Sequence, residues 1–151
     1  MKTIPIILLS IVSLCCTAAE VFTTYGNGRF QYSVEYPKNL LIPQGEAGNG
    51  DGQFFLSRRG DATLKVYGRW IMEGMDDRCH ALDGVEPEDI PNITYQTSRK
   101  DQSVAFGYRK GKIFYTKALI VKGQCLKFDF EYSADSRETY DTITARMAKS
   151  F

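Results

Sequence analysis

The stretch Val104–Ser133, VAFGYRKGKIFYTKALIVKGQCLKFDFEYS, constrains the fold more than any other part of the chain. Three apolar-rich runs are separated by Arg109-Lys110-Gly111-Lys112 and by Lys122-Gly123, tight turns of the kind that join antiparallel neighbours. The middle run, Ile113–Val121, is apolar on both parities, with Phe114, Ala118 and Ile120 on one and Ile113, Tyr115, Leu119 and Val121 on the other. Such a strand wants cover on both faces. The third run alternates, Leu126, Phe128, Phe130 and Tyr132 against Lys127, Asp129 and Glu131, which predicts a half-open strand. A helix follows. Asp135 as N-cap with Glu138 three residues on predicts a capping box, and Tyr140, Ile143 and Met147 form an inward stripe closed by Phe151.

Earlier segments read in the same way. Tyr25–Gly28 is a turn, and Arg29–Tyr36 alternates as a strand until Pro37, which has no N–H for a ladder. Leu40–Ile42 is a short packed segment. Gln53–Ser57 and Ala62–Trp70 form a hairpin around Arg58-Arg59-Gly60-Asp61, where Gly and Asp serve the turn rather than a cell-adhesion tripeptide. Met72, Met75, Cys79 and Leu82 fall on one helical face, stopped by Gly84 and Pro87, and Ile93–Ser98 is a further strand. The expected fold class is α+β, a central antiparallel sheet with helices on both faces.

The N-terminus carries an address. Lys2, an apolar run to Cys16 and the small residues Thr17-Ala18-Ala19 have the layout of a secretory signal cut after Ala19, with a single domain over 20–151. Lipoprotein anchoring at Cys15 or Cys16 is the competing reading, disfavoured because no small residue precedes either one suitably. The expected location is periplasmic or secreted, with no stable membrane insertion after cleavage. Two cysteines then remain, and an oxidising compartment predicts a Cys79–Cys125 disulfide closing a loop of about 45 residues, on the order of 4 kcal/mol in the chain-entropy picture. The chain holds 19 basic and 18 acidic side chains, a balance that argues against nucleic acid as partner.

Reactive chemistry is poorly represented. GxSxG, HExxH, P-loop and dinucleotide glycine patterns are missing, and His80 is the one histidine. Asp76, Asp77 and His80 lack metal-ligand spacing, so no metal and no cofactor is expected. Glu46, Asn49 and Asp51 in the loop GEAGNGDG do not reproduce the oxygen positions of a calcium loop. Asn92-Ile93-Thr94 is a glycosylation sequon only in a eukaryotic source. The expectation is therefore not an enzyme, with no catalytic residue. Aromatic and basic residues left over from the core, Tyr67, Arg69, Trp70, Tyr108, Arg109 and Lys110, form the candidate interface.

Several runs also carry a resemblance. GRFQYSVEYPKNLLI, GDGQFF, GDATLKVYG, GKIFYTK, FDFEYS and the closing YDTITARMAKSF resemble a group of small exported bacterial proteins of uncharacterised function, laid out like the PsbP-like fold shared with the nuclear-import factor that binds Ran. The likeness runs from Tyr25 to Phe151. It implies an α-β-α sandwich and an accessory or binding role, and it transfers no binding residue to a position here. The function expected from these strands of argument is recognition of another envelope or exported protein, with an inhibitor or immunity protein against a toxin or hydrolase as its specialised form. A hydrolase using two unidentified carboxylates and a small-ligand carrier are the rivals.

Overall fold

The computed structural model describes residues 19–72 and 79–151. Strands β1 (Phe22–Asn27) and β2 (Tyr32–Pro37) form a separate hairpin. The main sheet is built from β3 (Leu41–Glu46), β4 (Gly52–Ser57), β5 (Ala62–Trp70), β6 (Ile93–Arg99), β7 (Gln102–Arg109), β8 (Lys112–Val121) and β9 (Gln124–Ser133). Its order is β3-β4-β5-β9-β8-β7-β6, and every pairing is antiparallel. Two locally connected units, β3–β5 and the meander β6–β9, are thus fused through one long-range pairing, Ala62↔Tyr132 to Trp70↔Gln124. A single helix, α1 (Arg137–Ser150), follows β9.

The even-numbered side of β9 is the centre of the core. Leu126, Phe128, Phe130 and Tyr132 face Leu64 and Val66 of β5 and are covered by Phe30, Tyr32 and Val34 of the first hairpin and by Tyr140, Ile143 and Met147 of α1. Full burial of each aliphatic or aromatic side chain is worth about 1.5–3 kcal/mol, so this one layer dominates stability. Phe30 can lie flat on β5 because residue 68 is glycine: a Cβ there would stand 2.5 Å from the ring. Lys117 reaches across the same face to donate to the Ala148 carbonyl at the end of α1 (2.8 Å), a cation where the helix dipole is negative.

The expected sandwich with helices on both faces does not form. Among the described residues the chain is mostly β with one α-helix, and that helix covers one face only. The opposite face is covered by irregular chain. Of the helix predicted through Met72, Met75, Cys79 and Leu82, residues 73–78 lie outside the described residues, while residues 79–92 run as turns and a 3₁₀ helix, Pro87–Asn92. The reason is a competing acceptor demand. Lys127, which the alternation assigned to water, is 4% exposed and donates to the carbonyls of His80 (2.9 Å) and Asp83 (3.0 Å), groups an α-helix would keep for itself. Ala81 and Leu82 then pack on Phe114 and Ala105. The third strand is therefore closed on both sides.

Other expectations shift more modestly. Tyr25–Asn27 is strand, and the turn falls at residues 28–31 because the Asn27 Oδ1 accepts from the Phe30 N–H (2.8 Å) and Gln31 takes a left-handed φ of 57°. The capping box at Asp135 and Glu138 is not made. Residues 134–136 form a 3₁₀ turn, and the Ser136 hydroxyl donates to Asp61 (2.7 Å) instead. The Cys79–Cys125 disulfide is present, with Cα atoms 5.4 Å apart.

Candidate functional site

One row of side chains crosses the whole sheet through its pairing register: Pro43, Phe55, Leu64, Phe130, Tyr115, Phe106 and Tyr95. Phe55, Leu64 and Phe130 are fully buried, Tyr115 and Phe106 are half-buried, and Tyr95 on β6 is 49% exposed. The row emerges from the core because its cover runs out. The β1–β2 hairpin and α1 sit over β3–β5, β9 and part of β8, and no described element lies over the same face of β6 and β7.

The uncovered surface is a groove beside α1. One cleft of about 310 Å³ lies between Phe106, Ile113, Tyr115 and Tyr132 of the sheet and Arg137, Asp141 and Thr144 of the helix. A second, about 330 Å³, shares Phe106 and Tyr115 and opens towards β6 among Tyr95, Thr97 and Arg99. The Tyr95 and Phe106 rings stack at 5.3 Å with 22° between planes, and Tyr115 meets Phe128 edge-on at 6.1 Å, so the wall is a fixed aromatic surface. At the helix end the Tyr132 hydroxyl donates to Asp141 (2.6 Å), Arg137 donates to the other carboxylate oxygen (3.0 Å), and Arg137 also reaches the Tyr108 hydroxyl (3.4 Å). Burial, and then the Asp141 hydrogen bond, push the Tyr132 hydroxyl up from its ordinary range. Burial raises Tyr115 likewise, reinforced by Tyr95. Among the residues named for the two clefts, Asp141 is the one carboxylate, and both its oxygens are engaged, so the pair of acids that a hydrolase needs is not assembled there.

The six interface residues read from the sequence do not form one patch. Trp70 ends β5, 52% exposed with its ring 5.7 Å from Phe30, at the edge of the sheet marked by the pairing with Gln124. Tyr108, Arg109 and Lys110 lie at the opposite end, where Arg109 pairs with Lys112 and Lys112 with Ser133, roughly 30 Å away along β9 at the usual strand rise. Tyr67 and Arg69 are on the other face from Trp70, across from Lys127 and Cys125. Arg109 shares that face, its guanidinium 4.7 Å over the Phe114 ring and 3.7 Å from Glu131. Only Tyr108 borders the groove, through Arg137. Sequence reading missed Tyr95, Phe106, Tyr115 and Arg99. Their shared parity within each strand was visible, but their alignment needs the order of strands.

The acids of the glycine-rich loop and His80 have structural partners. Glu46 accepts from the Tyr25 hydroxyl (2.6 Å), and Asp51 is paired with Arg29 (2.8 Å) and bonded by Asn49, so the oxygens of the glycine-rich loop point to protein donors. His80 Nδ1 accepts from the Leu82 N–H (3.2 Å). Asp76 and Asp77 lie outside the described residues, and among the described ones no three His, Cys, Asp or Glu side chains converge as ligands. Asp129 is raised by burial, against the lowering influence of Arg109, Lys65 and Lys127. Among the described residues no helix is long and apolar enough to cross a membrane.

No family model matches the chain, and neither does any curated protein. Its structure is similar to the solution structure of cyanobacterial PsbP (CyanoP) from a Synechocystis species, with a TM-score of 0.63 and 15% identity over 89% of this chain and 95% of that one. At that identity the likeness is one of architecture, and the chain has a PsbP-like fold.

Proposed function

We propose that this is an exported accessory protein that works by binding another protein of the envelope or exterior, with the aromatic groove beside α1 as its contact face. The observation that carries the reading is the row Tyr115–Phe106–Tyr95, which leaves the core half-covered and ends on an exposed tyrosine. Aromatic residues fixed in place and ringed by arginine are the material of interface hot spots. The PsbP-like fold is compatible with an accessory role, and the Cys79–Cys125 disulfide suits an oxidising compartment.

The test is site-specific photo-crosslinking in the producing cell. A photo-reactive phenylalanine analogue at Thr97 or Tyr108 is expected to trap one partner, while the same analogue at Lys38, exposed and beyond the groove, traps none. Tyr95→Ala should abolish the adduct at Thr97. Equal adducts at all three positions, or none in the groove, would overturn the proposal.

A further inference from the structure

The two edges of the main sheet are built differently. Edge strand β3 contains Pro43, which has no N–H, and its register slips between Pro43 and Glu46. Both features keep a foreign strand from pairing. Edge strand β6 has neither proline nor lysine, its irregularity is confined to Ile93–Tyr95, and its one charge is the terminal Arg99. Its outer side pairs with nothing among the described residues.

The ladder fixes which groups are left over. Ile120 N–H donates to the Asp101 carbonyl (2.9 Å), so in the alternation of an antiparallel strand the odd-numbered peptide groups of β7 face β8 and the even-numbered ones face β6. Gln102, Val104 and Phe106 therefore bond Arg99, Thr97 and Tyr95. The N–H and C=O of Gln96 and Ser98 point outward and have no partner among the described residues. On the groove side of the same strand stand Tyr95, Thr97 and Arg99. Among the described residues the Arg99 guanidinium has no carboxylate partner, and Arg58 has only the Asn39 carbonyl, whereas Arg29, Arg59, Arg109, Arg137 and Arg146 each have a carboxylate.

From these observations we infer that β6 is a docking edge for an extended segment of another polypeptide, which adds as an eighth strand through Gln96 and Ser98. An aromatic or apolar side chain of that segment continues the row beyond Tyr95. A carboxylate four positions away meets Arg99, since Tyr95 and Arg99 are separated by that interval on one face. The inference rests on the groove being a protein-binding face and names the chemistry that it accepts.

A display library of random nonapeptides panned against the purified protein supplies the probes. Enriched peptides are expected to carry an acid four residues from an aromatic or apolar position and to slow amide exchange at Gln96 and Ser98, leaving Thr97 and Arg99 unchanged. Combined Gln96→Pro and Ser98→Pro removes two outward donors and no ladder donor, and should weaken binding on the order of tenfold or more. Arg99→Glu, an exposed change with no bearing on folding, should reverse the preference from acidic to basic peptides. Peptides that bind wild type and proline variant equally overturn edge pairing while the groove proposal stands. An empty selection together with no groove crosslink overturns both. Concentration-dependent dimerisation that protects Gln96 and Ser98 would give the edge to a second copy of this chain and overturn the inference.

Discussion

Asp61 offers the sharpest quantitative test of how this fold is held together. Its carboxylate, 16% exposed, sits in the β4–β5 turn and accepts from Ser57 (2.7 Å) and Tyr140 (2.8 Å) on one oxygen and from Ser136 (2.7 Å) on the other. One side chain thus ties a hairpin turn to the entry and first turns of α1, across more than half the sequence. Hydrogen bonds to a charged acceptor contribute about 1.5–3 kcal/mol each, and part of that returns as the freed hydroxyls find water. Asp61→Ala should therefore cost about 3 kcal/mol, a shift of about 2 M in the urea midpoint at an m-value of about 1.5 kcal/mol/M. Burial alone would raise the Asp61 pKa, but the Ser136, Ser57 and Tyr140 hydroxyls outweigh it and hold the carboxyl below its usual range. An acid depressed in the folded state stabilises fully above its unfolded pKa, about 3.9, and that contribution fades as pH falls through the folded value. The gap between wild type and Asp61→Ala should accordingly narrow below about pH 4. The Tyr140 hydroxyl, pushed up to about 12 by burial and then by Asp61, stays a donor throughout. Tyr140→Phe combined with Asp61→Ala should show a coupling of about 1 kcal/mol in a double-mutant cycle. A gap under about 1 kcal/mol at neutral pH, a gap independent of pH, or strict additivity would refute the reasoning.

Further outcomes follow from the same geometry. Cys79→Ser with Cys125→Ser, residues 46 apart, should lower stability by up to about 4 kcal/mol, and reductant should bring wild type to the variant's melting temperature; equal melting in oxidised form would count against it. Lys127→Met strands the His80 and Asp83 carbonyls and should cost about 2–3 kcal/mol, with faster amide exchange confined to residues 79–85. Gly68→Ala drives a methyl into the Phe30 ring and should cost about 1–3 kcal/mol in denaturant unfolding. Tyr95→Ala should leave stability within about 0.5 kcal/mol while removing groove binding; a large loss of stability would mean that the ring is core after all.

The sequence by itself determined what depends on neighbours along the chain. The two apolar parities of β8, the alternation of β9, the Lys122-Gly123 turn between them and the helix stripe Tyr140–Ile143–Met147 are all decided within a few residues. What covers a face, and which residues line up across strands, is decided by contacts distant in sequence. Lys127 looks like a solvated position until His80 and Asp83 bring their carbonyls to it, and that same demand leaves the described part of the second face's cover, residues 79–92, as turns and a 3₁₀ helix. Pro43 and Tyr95 become the two ends of one row only because β5 pairs with β9. The groove exists for that reason: periodicity says which side of a strand is apolar, whereas the extent of its cover is set by where the β1–β2 hairpin and α1 come to rest.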